Sequence, residues 1–219
     1  MKIGIVGAGN IGGALTRRFS AAGHEVSVAN SRGPETLAAL AAETGARAVT
    51  VSEAANGADV VVVTIPMGAV SKLPADLLAG AVDGVVVIDT GNYYPRQRDG
   101  AIEAIEQGMT ESRWVSSQLG HPVVKAFNNI VASHLQNDGR PTGAIGRIAL
   151  PVAGDDADAR AVVMSLIDEI GFDPIDAGTI DESWRQQPGS PIYAADPTAD
   201  RARELLAAAT PERTAAFTA

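Results

Sequence analysis

The sequence predicts an α/β protein of the Rossmann type: a doubly wound, mostly parallel sheet with a small C-terminal α/β annex. Three observations predict it. Short apolar runs alternate with helical patterns along the whole chain. The run Val60-Val61-Val62-Val63-Thr64-Ile65 is apolar at successive positions, as a strand buried on both faces requires. The first run, Ile3-Gly4-Ile5-Val6, leads directly into Gly7-Ala8-Gly9-Asn10-Ile11-Gly12.

The elements follow in order. After the first strand, residues 11–22 form a helix with Ile11, Leu15 and Phe19 on one face, closed by Gly23. Glu25 to Ala29 is the second strand. Pro34 opens a helix that ends near Gly45. Residues 46–51 make the third strand, and Ser52 to Ala55 a short helix. The valine-rich fourth strand follows Asp59. Residues 67–78 are helical, with Pro74 splitting or kinking the helix. Gly84 to Asp89 is a strand, Gly100 to Gly108 a helix, and Val123 to Phe127 a sixth strand. These six strands, with their crossovers, match the count of a full dinucleotide-binding sheet, so residues 1–127 are assigned to that domain. Residues 128–209 form the annex, with strands at 148–153 and 172–176 and helices at 155–170 and 200–209. They are too few for an independent substrate domain of ~100 residues or more. Residues 210–219 are expected to fray.

Composition narrows the function. The chain has 219 residues, 17 basic and 26 acidic, for a net charge of −9. That balance disfavours nucleic acid and anionic membrane surfaces as partners. Cysteine is absent, which excludes thiol catalysis and cysteine-ligated metals. The three histidines are scattered without metal-site spacing, and no metal is expected. The start of the sequence lacks a signal-peptide pattern and no apolar run is long enough to span a bilayer, so a cytoplasmic location is expected.

The glycine turn carries the chemistry. Gly7 permits the tight turn, Gly9 lets backbone approach a pyrophosphate, and Gly12 lets helix and strand pack closely. The first-turn amides around Asn10 and Ile11 face the phosphates with the helix dipole behind them. At the end of the second strand, where an acid would select NAD, the sequence has Asn30-Ser31-Arg32. Arg32 and Ser31 suit a 2′-phosphate and Asn30 a ribose hydroxyl, so the nucleotide is expected to be NADP. Thr64-Ile65-Pro66 ends the central strand, where ligands of open sheets lie. Pro66 either turns the chain beneath the nicotinamide or only stops the strand. Asn128 and Asn129 end a further strand, where amides can read a nicotinamide carboxamide or a second ring, and Asn129 is alternatively the cap of a helix starting at Ile130. Lys125 and His121 are candidate proton handlers, each alone in sequence.

These motifs, with Val124-Lys125-Ala126-Phe127-Asn128-Asn129, Val152-Ala153-Gly154-Asp155-Asp156 and Asp176-Ala177-Gly178, resemble the coenzyme F420-dependent NADPH oxidoreductases from Met1 to about Pro191. The resemblance implies NADP and a second small-molecule redox partner, a deazaflavin (coenzyme F420) or a flavin, held face to face for direct hydride transfer in a homodimer. It implies that Ser31 and Arg32 hold the 2′-phosphate, that Ile65 and Pro66 flank the nicotinamide, and that Asn128 to Ile130 lie where the rings meet. Trp184 would stack on a ring or plug the annex, and Arg185 would meet an anionic tail. Two alternatives stand beside this enzyme: an NADP-dependent dehydrogenase or reductase of a small organic substrate, and a non-catalytic NADP-sensing module.

Overall fold

The computed structural model describes residues 1–219. Six strands form one parallel sheet: β1 (Lys2–Val6), β2 (Glu25–Ala29), β3 (Arg47–Ala48), β4 (Val60–Val63), β5 (Val86–Asp89) and β6 (Val124–Lys125). Their spatial order is β3-β2-β1-β4-β5-β6. Strand order reverses beside β1, whose Ile5 pairs with Val28 on one side and Val62 on the other. The glycine turn leaves the sheet at this switch point.

The valines of β4 explain how the layers close. All four are buried. Val60 and Val62 pack with Ile3, Ile5, Leu15 and Phe19 under α1 (Asn10–Ala21). Val61 and Val63 pack on the other face with Met67, Tyr93, Trp114 and Val115. A period of two thus places successive valines in two cores, and each face is covered. Beyond β2, Gly45 adopts a left-handed conformation (φ 75°) and ends α2 (Ala38–Thr44) as the sequence foreshadows.

Several elements depart from the sequence reading. The third strand shrinks to two residues, and the helix at 67–78 is a 3₁₀ helix, Met67–Lys72, that stops before Pro74. The helix at 100–108 contracts to α3 (Glu103–Glu106), and α4 (Glu111–Leu119), unforeseen, follows it. Thr110 caps α4 by accepting a hydrogen bond from Arg113 N, and Gly120 closes it with φ 61°. The inward face of α4 carries Glu111 and Ser112, both buried, beside Trp114 and Val115, which hides its amphipathic signal.

The annex carries a second, two-stranded sheet at the edge of the first. After α5 (Ala132–Asn137) comes β7 (Ala149–Val152), which pairs in parallel with β8 (Asp173–Asp176). An antiparallel bridge joins this pair to β6: Lys125 N donates to Ala153 O at 2.7 Å and Ala153 N donates back to Lys125 O at 3.1 Å. Helix α6 (Ala157–Glu169) is capped by the Asp156 carboxylate, which accepts from Asp158 N and Ala159 N. Its Val163, Leu166 and Ile167 enter the same core as Ile88 and Val124. Helix α7 (Ala199–Ala208) covers the other face of the pair through Ala202 and Leu206. The last ten residues, expected to fray, instead lie against the body: Arg213 reaches Glu111 at 2.6 Å, and the Phe217 ring lies 5.9 Å from that of Tyr94. A buried anion holds them there.

Candidate functional site: a dinucleotide cleft at the switch point

The three glycines of the turn differ in what surrounds them. Gly7 has φ 113°, and a Cβ there would sit 2.2 Å from Thr64 O. A Cβ at Gly12 would sit 1.8 Å from Gly7 O. Both positions exclude any larger residue for reasons internal to the protein. At Gly9 a Cβ would meet nothing within 4 Å, and its φ of −74° is ordinary. The open space at Gly9 is therefore not needed for the protein's own packing. Gly9 is also the N-cap of α1 and offers no side-chain cap, so the first amides of this twelve-residue helix face outward uncapped. No acidic residue stands in the first turn. This is an anion cradle built from backbone and helix dipole, which matters in a chain of net charge −9.

A cleft of about 770 Å³ opens over the turn, lined by Ala8, Gly9, Asn10, Arg17 and Arg32, with Val131, Ala132 and Ser133 on the opposite wall. Its two arginines differ. Arg17 forms a fork on Glu43, with bonds of 2.6 and 2.7 Å, and that hydrogen bonding raises its already high pKa. The Arg32 guanidinium makes no hydrogen bond or ion pair within the chain. It is the uncommitted cation of the cleft. Asn30 shapes the loop that carries it: its Oδ1 accepts from Arg32 N at 2.9 Å, and its Nδ2 donates to Thr36 Oγ1, also at 2.9 Å. Thr36 Oγ1 in turn donates to Gly33 O at 2.8 Å. The side chain of Asn30 thus organises the loop, a role absent from the sequence reading, while Ser31 and Arg32 are exposed.

Thr64 and Ile65 leave β4 partly buried, and Pro66 is exposed. Thr64 borders the turn itself, since its carbonyl limits Gly7 and its methyl limits Gly12. Met67 is buried, and a Cβ added to Gly91 would meet its Cε at 3.0 Å. The turn after β5 therefore sits directly against the Met67 side chain, one residue beyond Pro66. This ledge, Gly91-Asn92, is clamped from below. Gly91 N donates to Asp89 Oδ1 at 2.8 Å, and Lys125 Nζ donates to Gly91 O. Lys125 is wholly buried, with Asp89 at 3.4 Å and Glu111 at 3.5 Å. Ser112 Oγ donates to Asp89 Oδ2 at 2.6 Å. Burial pushes the Glu111 carboxyl above its ordinary range, against the opposing pull of Lys125 and Arg213. Lys125 is thus a structural cation and not an exposed proton handler. His121 lies before β6, at the amino end of the strand, with Nδ1 2.7 Å from Pro122 O. It is at the wrong edge of the sheet for that role.

The segment after β6 corrects three expectations. Phe127 is buried with φ 62°, a strained conformation for a bulky residue, and it turns the chain sharply. The Asn128 amide is then committed inside the protein: Nδ2 donates to Asn92 Oδ1 at 3.0 Å and to Gln186 O at 2.6 Å, and Oδ1 accepts from Gln186 Nε2 at 3.0 Å. It bolts the ledge to the annex, leaving it no free edge to read a ring. Asn129 does not cap the next helix, whose N-cap is Val131. Its Oδ1 is buried without a partner, and its carbonyl accepts from Ala194 N at 2.8 Å. Ile130 is core, packed with Phe127 and Leu135. Of the predicted residues, Gly9, Asn10 and Arg32 line the cleft; Gly7, Ile11 and Gly12 belong to the same turn, Asn30 and Ser31 to the loop that carries Arg32, and Thr64 borders the turn. Asn128 and Ile130 are supports. The Arg185 guanidinium stacks on Trp184 at 4.6 Å and donates to Leu206 O, so it faces α7. Tyr94 and Tyr193 were passed over in sequence, yet their hydroxyls meet between the two parts of the chain, and burial with that contact raises the Tyr94 pKa. Ninety-nine positions separate them, and no local pattern marks either. No cluster of three acidic or histidine residues could hold a metal, and no helix is long and apolar enough to cross a membrane.

Sheet order, glycine turn and cleft define a dinucleotide-binding α/β protein. The model of the coenzyme F420-dependent NADP oxidoreductase family matches residues 2–93 of the chain. The family's description names NADP as cofactor together with coenzyme F420. Hypothetical protein SMa0349 of Sinorhizobium meliloti is 33% identical, with 91% of this chain and 96% of that one covered and a TM-score of 0.77. A structure described as a candidate F420-dependent NADP-reductase of Arthrobacter sp. FB24 shares the fold, at 24% identity and TM-score 0.68 over 84% and 87% of the two chains. Among curated proteins, YjhV of Escherichia coli K12 is 52% identical over 56 residues, 26% of this chain and 41% of its own. Metalloreductase STEAP3 of Rattus norvegicus is 28% identical over 180 residues, 82% of this chain and 34% of its own. The chain thus spans well under half the length of these two curated relatives.

Proposed function

We propose that the protein is an NADP-dependent oxidoreductase that passes a hydride between NADP(H) and a flat-ring carrier, a deazaflavin or a flavin. The observation that carries the reading is the pairing of open space at Gly9 with an uncommitted Arg32 in the same cleft. The turn has the room that a pyrophosphate needs, and Arg32 the free fork that a 2′-phosphate needs. The uncapped amides of Asn10 and Ile11 would bind the pyrophosphate, and Ser31 and Arg32 the 2′-phosphate. Ile65 and Pro66 would flank the nicotinamide, with the Gly91-Asn92 ledge beside them. The nucleotide supplies hydride chemistry when bound, and the protein supplies orientation and exclusion of water. Such a reaction needs no acid–base dyad, which agrees with Lys125 and Asn128 serving as supports.

Steady-state mixing of NADPH with a deazaflavin and, separately, a flavin tests the reading. Carrier reduction matched by NADPH oxidation is the expected result. Tight NADPH binding with neither carrier reduced would overturn it in favour of a sensing module.

A further inference from the structure

The buried cluster beneath the ledge has one member from outside residues 1–127. Asp89 of β5, Glu111 of α4 and Lys125 of β6 are each 1% exposed or less. They carry two negative charges and one positive. The fourth member is Arg213 of the segment 210–219. Its Nη2 donates to Glu111 Oε1 at 2.6 Å and to Gln187 Oε1 at 3.1 Å, and its guanidinium lies over the Tyr93 ring at 5.1 Å. With both carboxylates ionised, the cluster reaches the neutrality that burial in a low dielectric demands only with Arg213 in place. The Glu111 Oε2 atom has no hydrogen-bond partner and faces Lys125 from 3.5 Å. Lys125 is thus held between two pulls: Glu111 on one side, Gly91 O and Asp89 on the other.

We propose that Arg213 is a positioning residue: by docking the 210–219 segment on Glu111 it keeps Lys125 on the Gly91 carbonyl, and so holds the Gly91-Asn92 ledge in register beside Pro66. The consequence for hydride transfer rests on the function proposed above; the coupling itself does not. Without Arg213 the cluster carries a net negative charge. Lys125 is then drawn toward Glu111, and Gly91 O loses its donor. The Asn92–Asn128 amide pair, fixed on that ledge, loosens with it. Protonation offers a second route to neutrality. Glu111 faces Lys125, Arg213 and, across Lys125, Asp89, with the Tyr94 phenol nearby. Burial already raises its pKa, and removal of Arg213 raises it further. A carboxyl raised in the folded state favours the fold at low pH, and that contribution is lost as pH rises through the folded pKa. The defect of a variant lacking Arg213 should therefore shrink as pH falls and grow as it rises, read at pH 5 and at pH 8.

The test uses the full chain as Arg213→Gln, Glu111→Gln and the double variant, with Arg213→Lys as a charge-preserving control. Hydrogen exchange, corrected for intrinsic rates, is followed in residues 89–94 and in residues 7–15 at both pH values. In Arg213→Gln at pH 8 the ledge should exchange roughly tenfold faster while residues 7–15 stay unchanged. Protection should rise at pH 5, and return in the double variant at pH 8 and largely in Arg213→Lys. With NADPH saturating, carrier reduction by Arg213→Gln should fall roughly 10- to 100-fold, as a small misplacement at a reacting centre allows, and recover in the double variant. Faster exchange confined to 210–219, or a ledge defect unaltered by pH and by the second substitution, would overturn the coupling. If Arg213→Gln does not fold, a double variant that also fails to fold or to protect the ledge would overturn it. A wild type that reduces neither carrier would refute the proposed reaction and leave the exchange result to judge the coupling alone.

Discussion

A single methyl group at Gly9 separates folding from binding in this protein. Gly9→Ala places a Cβ where nothing lies within 4 Å, at φ −74° and ψ −160°, a conformation open to any L-residue. As an N-cap, alanine is worse than glycine by a fraction of a kcal/mol, while the unfolded chain loses freedom worth about 0.4–1 kcal/mol. The two nearly cancel, so the melting temperature should move by no more than about 2 °C. Binding has no such compensation. The methyl occupies the approach path of the pyrophosphate to the first amides of α1. Each hydrogen bond to a charged phosphate is worth about 1.5–3 kcal/mol, so one lost bond weakens binding roughly 10- to 150-fold. Two lost bonds reach about 10²- to 10⁴-fold on the same scale. NADPH fluorescence titration and thermal melting on the same samples measure both effects. Gly7→Ala and Gly12→Ala are the contrasting cases, since their methyls would lie 2.2 and 1.8 Å from backbone oxygens. They should fail in folding before binding can be read. A Gly9→Ala protein that binds NADPH within twofold of wild type would refute the assignment of this turn as the phosphate cradle.

Other substitutions probe the remaining parts. Arg32→Ala should weaken NADPH binding roughly 10- to 150-fold and leave NADH nearly unchanged; equal losses in parallel titrations would remove Arg32 from the 2′-phosphate. Ile130→Trp overfills the core beside Phe127 and Leu135, so it should lower the melting temperature by roughly 2–12 °C. An Ile130→Trp protein of unchanged stability that loses only carrier reduction would return Ile130 to the ring site. Asn128→Ala removes the donor to Asn92 Oδ1 and Gln186 O and one acceptor of Gln186 Nε2 and should cost about 1–3 kcal/mol, read by denaturant unfolding; a neutral result would mean that it is no bolt.

Legibility in the sequence followed the range of the interactions. The valines of β4 and the turn from Gly7 to Gly12 are local signals, each a run of neighbours whose spacing states its own geometry. Arg32 was legible because strand length fixes which residue follows β2. The ledge was not. Asp89 and Lys125 lie 36 positions apart, and Arg213 lies 102 positions from Glu111. Only the folded sheet brings them together. Helix α4 was hidden for the same reason: its buried face holds Glu111 and Ser112, whose partners are remote, so its hydrophobic period is broken. Asn128 looked like a reader because it ends a strand, yet the left-handed turn at Phe127 aims it at Asn92 and Gln186. A backbone angle of 62° at a phenylalanine has no sequence signature. The annex has its own two-stranded sheet, which meets the edge strand β6 through the bridge between Lys125 and Ala153, a contact between residues 28 positions apart.

The central claim is direct hydride transfer from a nucleotide held at the switch point, and an isotope trace tests it most directly. NADPH deuterated at the transferring position of nicotinamide C4 is mixed with the protein and a deazaflavin in ordinary water, and the reduced carrier is examined by mass spectrometry. A deazaflavin accepts the hydride at a ring carbon, where the label does not exchange, and takes its balancing proton from solvent. One deuterium retained per carrier reduced, with a slower reduction than from unlabelled NADPH, is the expected result. Reduced carrier without the label, or NADPH bound in the cleft and left unoxidised, would contradict the account.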